Sequence, residues 1–144
     1  MESLARRLVL TAKAMRAHFE AHLAEAGSSL TFWLVLRRLS EQDGLSQRQL
    51  AQHLSVEAPT LTRHLDRMAA EGLLVRTQDP ADRRVTRISL TPAGRRTHRK
   101  LVSIAEDLEQ EFQSLLSARD AVVLERALTR IDQHLEEVGA RAVG

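Results

Sequence analysis

The 144-residue sequence predicts a mainly α fold that carries one small β-hairpin. Three observations point that way. Apolar residues recur at helical spacing along most of the chain. The stretch from Val85 to Leu90 breaks that rhythm with a period of two, putting Thr86, Ile88 and Leu90 on one face. Between residues 46 and 84, two short helical patterns meet at a tight turn. Gly72, an apolar run and a loop ending Asp82-Arg83-Arg84 follow. That order of parts describes a helix-turn-helix with a wing. It can place one helix in a DNA major groove and a basic loop against the backbone or minor groove.

The elements follow in order. Leu4, Leu8, Met15, Phe19 and Leu23, with Ala12 between, form the stripe of a first helix, which Gly27-Ser28-Ser29 stops. Thr31 is the expected N-cap of a second helix carrying Phe32, Leu36 and Leu39, with Gly44 at its end. Ser46-Gln47-Arg48-Gln49 fits a capping box for a short helix with Leu50, Ala51 and Leu54. Ser55-Val56 makes the turn. The next helix starts near Glu57 or Ala58, because Pro59 is tolerated only in a first turn. Leu61, Leu65 and Met68 face inward, and Gly72 caps the end. Leu73 to Gln78 and Val85 to Leu90 are the hairpin strands, joined through the turn Asp79-Pro80-Ala81-Asp82. Thr91-Pro92 opens a helix reaching about Leu116, roughly 37 Å long, with Leu101, Ile104, Leu108, Phe112 and Leu115. Ser117-Ala118-Arg119-Asp120 resembles a second capping signature, and the last helix carries Leu124, Leu128, Ile131, Leu135 and Val138.

A winged helix of some sixty residues is too small to cover the first, fifth and sixth helical stripes. A second copy of the chain is the simplest cover, since exposed stripes of that size are a liability; the alternative is an intramolecular bundle. The expected organisation is a DNA-binding domain over residues 30–91. Residues 1–29 and 92–144 then form a helical dimerisation region.

Charge sharpens this reading. Residues 46–100 carry 11 basic and 5 acidic groups, a net +6, whereas residues 101–144 are net −5. The positive stretch coincides with the reading head, the electrostatic footprint of a nucleic-acid binder. Arginine supplies 19 of the 21 basic residues. There is no cysteine, which excludes disulfides and thiolate metal sites and suits a reducing cytoplasm. Neither an apolar run long enough to span a membrane nor a secretory h-region after the N-terminal Met-Glu-Ser-Leu-Ala-Arg-Arg is present. A Gly-rich phosphate loop, a nucleophile elbow and an HExxH motif are likewise missing. The sequence therefore predicts no enzyme, no cofactor and no metal. His18 and His22 share i, i+4 spacing, but no glutamate completes a recognised metal motif.

The most specific motifs are Leu50-Ala51 with Leu54-Ser55-Val56, and Thr60-Leu61-Thr62-Arg63 with Asp66-Arg67-Met68. Glu71-Gly72-Leu73-Leu74-Val75-Arg76, the wing Asp79-Pro80-Ala81-Asp82-Arg83-Arg84 and Leu90-Thr91-Pro92-Ala93-Gly94 follow. In this order they resemble the multiple-antibiotic-resistance regulator (MarR) family of bacterial winged-helix repressors, over nearly the whole chain. The resemblance implies a homodimer that binds a palindromic operator and lets go when a small, often aromatic, ligand binds. It also implies that Arg84 enters the minor groove while Asp82 orients it. His64 departs from the pattern, standing where an apolar residue is usual. The structural reading, a half-buried neutral ring, is favoured over a turn toward DNA.

The residues themselves support a DNA interface. Ala58, Thr60, Thr62 and Arg63 lie at the start of the second helix of the motif, where side chains meet base edges. Arg63 can fork onto a guanine, contact a phosphate or pair within its helix with Asp66 or the neighbours of Arg67. Ser46, Gln47 and Arg48 open the preceding helix, whose free N–H groups suit a phosphate. Arg83 and Arg87 are expected as plain phosphate contacts. For the ligand, the resemblance implies a site between the dimer helices and the reading head. Met15, Arg16, Phe19, Phe32 and Trp33 could line it, with Arg16 as a carboxylate partner; singly, Phe19 and Trp33 also read as core residues. The other readings are an architectural DNA-binding protein without an effector and a winged helix used for protein contacts. The net +6 argues against the last.

Overall fold

A computed structural model describes residues 3–142, which fall into two compact units, Met1–Ala105 and Glu106–Gly144. Nine elements follow in order: α1 (Leu4–Glu25), α2 (Leu30–Glu41), β1 (Leu45–Ser46), α3 (Gln47–Leu54), α4 (Ala58–Ala70), β2 (Leu74–Gln78), β3 (Thr86–Leu90), α5 (Pro92–Ser114) and α6 (Ala118–Ala142). The mainly helical class with a small sheet is the one the sequence predicts. The three strands are antiparallel in the order β1-β3-β2, so β3 is central.

Two local expectations change. The N-cap of α2 is Ser29, not Thr31: the Ser29 hydroxyl accepts from the Phe32 N–H at 3.3 Å, and Thr31 lies inside the helix. Gly44 does not terminate α2, which ends at Glu41. At φ +74° Gly44 instead turns the chain into β1 and donates its N–H to the Ile88 carbonyl. This left-handed conformation suits glycine, which has no Cβ to clash. The strand β1 went unforeseen because two residues carry no period.

The capping box at α3 is present as expected. Ser46 Oγ accepts from the Gln49 N–H at 3.1 Å, and Gln49 Oε1 accepts from the Ser46 N–H at 2.9 Å. Between α3 and α4, Ser55 adopts a left-handed conformation at φ 51°. This costs about 1 kcal/mol for a residue with a Cβ. Its N–H returns to the Gln52 carbonyl, and that of Val56 to Ala51. Pro59 sits in the first turn of α4, where its missing N–H costs nothing.

The buried core lies wholly within the first unit. Leu23, Val35, Leu36, Leu39, Leu50, Leu61, Leu65, Met68, Ile88 and Leu101 are all at most 1% exposed. Ile88 and Leu90 alternate inward along β3, as the period of two requires. In the second unit, Leu115, Val122, Val123, Leu124, Leu128, Ile131, Leu135 and Val138 are exposed. The expected stripe of α6 is therefore formed and exposed.

The start of α5 is locked to the hairpin. Thr91 Oγ1 accepts from the Gly94 N–H at 3.0 Å and donates to the Gly72 carbonyl at 2.6 Å, while the Thr91 N–H reaches the Leu73 carbonyl. Gly94 is buried, and a Cβ there would overlap the Leu73 carbonyl oxygen. Backbone cannot yield as a side chain can. We expect Gly94→Ala to lower stability by about 1–3 kcal/mol, the ordinary cost of overpacking. Thermal melting against Gly139→Ala, whose Cβ would meet nothing within 4 Å, checks this. Equal melting temperatures for the two variants would remove the steric account.

Candidate nucleic-acid interface

The motif helices and the hairpin border one open groove of about 640 Å³. It is lined by Ser46, Gln47, Arg48, Ala51, Gln52 and Ala58 on the helical side and by Arg84, Val85 and Thr86 on the wing side. Arg48, Ala58, Arg63, Arg83 and Arg84 are exposed, and Thr60 and Thr62 are half-buried. Arg48, Arg63 and Arg83 have no side-chain hydrogen bond or ion pair among the described residues.

Thr62 is already engaged. Its hydroxyl accepts from Gln47 Nε2 at 2.7 Å and donates to the Ala58 carbonyl at 2.9 Å. Gln47 and Thr62 thus brace the start of α3 against the first turns of α4. A second brace comes from β2: Arg76 pairs with Asp66 at 2.5 Å and reaches the Thr62 carbonyl at 3.3 Å. Neither brace was foreseen, because Arg76 and Asp66 meet only through the tertiary fold.

The wing loop is shaped by two aspartates. Asp79 Oδ1 accepts from the Ala81 N–H at 2.8 Å, and the Asp79 N–H reaches the Val85 carbonyl at 2.9 Å. Asp82 takes Arg84 in a fork: Nε to Oδ1 at 3.1 Å and Nη2 to Oδ2 at 3.3 Å, with the Arg84 N–H to Oδ1 at 3.0 Å. Arg84 is nonetheless 91% exposed, so its guanidinium is aligned and open to solvent. The Arg84 side chain, then its N–H, holds the Asp82 carboxyl below the ordinary carboxylate value. For Asp79 the Ala81 N–H comes first and Arg87 second, in the same direction. Arg87 is placed differently from the exposed arginines. Its Nε donates to Asp79 Oδ2 at 2.6 Å and its Nη1 to the Gly44 carbonyl at 3.1 Å.

The residues expected around a ligand are only partly gathered. Phe19 and Trp33 meet edge to face at 6.1 Å between centroids. Phe32, one residue before Trp33 on the helix, turns instead toward α4. It meets His64 edge to face at 6.1 Å and carries the Arg67 guanidinium 5.1 Å from its centroid. His64 is half-buried there, in line with the structural reading. Met15 is exposed, and Arg16 pairs with Glu20 at 3.0 Å along α1. An unforeseen partner, His98 of α5, stacks on Trp33 at 5.7 Å and 12°, with Nε2 3.3 Å from Ser40 Oγ.

The chain is similar to winged-helix transcriptional regulators of solved structure. A transcriptional regulator designated PA3341 is 32% identical, with a TM-score of 0.78, covering 94% of this chain and 99% of that one. The PcaV transcriptional regulator from Streptomyces coelicolor is 28% identical, with a TM-score of 0.77, covering 93% and 96%. A mutant MarR from E. coli complexed with operator DNA is 25% identical, with a TM-score of 0.78, covering 89% and 92%. The MarR family model matches residues 29–86, and the chain belongs to the MarR family. No described helix is long and apolar enough to cross a membrane.

His98 is expected to give the unit a pH dependence. Burial holds its imidazole below the ordinary value of 6.5; Glu41 opposes this, while Arg37 and Arg99 add to it. The unfolded chain therefore takes up this proton more readily than the folded one. The His98 contribution is complete above pH 6.5 and declines as the pH falls through 6.5 toward the depressed folded value. We expect the melting temperature to fall between about pH 8 and about pH 5, and His98→Gln to flatten that slope. Parallel slopes in the two proteins would show that His98 does not carry the effect.

Proposed function

We propose that this chain is a cytoplasmic transcriptional repressor that binds a palindromic operator in double-stranded DNA as a homodimer and releases it when a small aromatic ligand binds. The observation that carries the reading is the shared groove, in which an aligned, exposed wing arginine faces the starts of two helices. Helix N-termini offer unpaired N–H groups to phosphates, and the first residues of the second helix meet base edges. The DNA-binding domain is residues 30–91. Ser46, Gln47, Arg48 and Arg83 take phosphates, and Ala58, Thr60, Thr62 and Arg63 face the major groove. Arg84 enters the minor groove in the orientation set by Asp82. A narrow minor groove concentrates negative potential and attracts such an arginine. The similarity to E. coli MarR, seen with operator DNA, supports this reading.

The homodimer is built from 1–29 and 92–144. Leu124, Leu128, Ile131, Leu135 and Val138 follow one another at alternating steps of four and three, the seam of a helix that packs on a partner helix. Leu4, Leu8, Val9, Leu10 and Met15 add exposed apolar surface on α1. The effector reading centres on the Phe19–Trp33 pair, with Met15 and Arg16 one turn earlier on α1.

Two outcomes are expected. Selection from a random duplex library should enrich an inverted repeat, and sedimentation at micromolar concentration should give a dimer. Enriched sites without two-fold symmetry, or a well-folded monomer, would remove this reading. In the wing, Arg84→Ala should weaken binding more than Arg83→Ala, although each removes one positive charge. Asp82→Ala removes a negative charge near DNA yet should weaken binding by roughly tenfold, because Arg84 must then be ordered from many rotamers. Tighter binding by the Asp82 variant at fixed salt would leave the wing as a charged loop only.

A further inference from the structure

Arg87 is the basic residue of the wing that the DNA reading explains least well. It lies on the central strand, opposite Ser46 of β1 and Thr77 of β2. It is absent from the groove lining, which includes its neighbours Arg84, Val85 and Thr86. Its side chain is 42% exposed, against 91% for Arg84, and two of its donors are already committed. One acceptor, Asp79 Oδ2, belongs to the first residue of the wing loop. The other, the Gly44 carbonyl, stands two residues before the Ser46 N-cap of α3. Asp79 is otherwise a poor choice for a DNA-facing loop, since its charge repels phosphate. It is only 13% exposed, and its two oxygens divide between the Ala81 N–H and Arg87.

These contacts form a continuous chain. Gly44 holds Arg87, Arg87 holds Asp79, the Asp79 N–H holds the Val85 carbonyl, the Val85 N–H holds the Asp82 carbonyl, and Asp82 holds Arg84. A planar guanidinium can bridge two acceptors in fixed directions, which the single ammonium of lysine does poorly. We infer that Arg87 is a positioning residue. By bridging Asp79 and Gly44 it sets the wing against the start of α3, so that Arg84 meets DNA already placed. The inference rests on the proposed wing contact of Arg84 and replaces the phosphate contact expected of Arg87 from sequence.

The test uses the full-length protein and the duplex most enriched in the wild-type selection, with affinity read by fluorescence anisotropy across a salt series. Asp79→Asn and Arg87→Ala change charge in opposite directions. Positioning predicts that both weaken binding by roughly tenfold. Asp79→Asn keeps an oxygen for the Ala81 N–H, so the loop retains its turn. The salt slope of Arg87→Ala should match the wild type, and neither substitution should matter further once Arg84→Ala is present. Tighter binding by Asp79→Asn, or a slope lowered by about one unit in Arg87→Ala, would restore a plain phosphate contact. If Arg84→Ala costs affinity and the loss from Arg87→Ala adds to it in full, the positioning role alone is overturned. If Arg84→Ala costs nothing, the wing contact and the positioning role both fall.

Discussion

Ser46 is the joint on which the reading head depends. It is the last residue of β1, paired with Arg87, and its hydroxyl caps α3. One residue thus belongs to the sheet and to the helix, so the hairpin and the helix-turn-helix share an origin. The cap itself contributes only about 1 kcal/mol. Its larger effect is geometric, because it joins β1 and α3 at one residue. Gln47 carries the connection to Thr62 on α4, and Arg76 returns it from β2 to Asp66 and the Thr62 carbonyl. The helix that faces the groove is held from both sides by hydrogen bonds that engage Thr62 and leave Ala58 and Arg63 exposed.

The two units differ in how they are stabilised. The first encloses a core drawn from α1 through the start of α5, and the hairpin contributes Leu74, Ile88 and Leu90 to it. In the second, no side chain from residue 106 to 139 is buried. A long helix in water gains little from propensity alone and relies on packing of its apolar face. Its capping at Ser117, where the hydroxyl accepts from the Asp120 N–H at 3.1 Å and donates to Asp120 Oδ2 at 2.7 Å, fixes where α6 starts but covers nothing.

Local patterns were legible and long-range ones were not. The capping box at Ser46, the turn at Ser55 and the proline at the start of α4 each occupy a few adjacent residues, so residue type and spacing reveal them; the Asp82–Arg84 wing pair is implied by the family resemblance. The N-cap of α2 was misplaced because Ser29 and Thr31 both offer a suitable hydroxyl. Only the backbone, extended at Ser29 with φ −143°, distinguishes them. β1 is too short to show alternation. The stacking of His98 on Trp33 and the bridging by Arg87 join residues far apart in the chain, and neither leaves a trace in local spacing. For Arg87 the local context shows an arginine beside a basic loop, and only the fold shows its bonds to Asp79 and the Gly44 carbonyl.

The composition of the groove has a chemical consequence of its own. Its charge comes from guanidinium groups, with Arg48 and Arg84 at its walls and Arg83 next to Arg84 in the chain. The chain has only two lysines, Lys13 and Lys100, and both lie outside that lining. Acetylation and related acyl transfers remove charge from amines, not from guanidinium groups. The positive face presented to a polyanion is therefore one that acyl-donor chemistry cannot neutralise, whatever the metabolic supply of activated acyl groups.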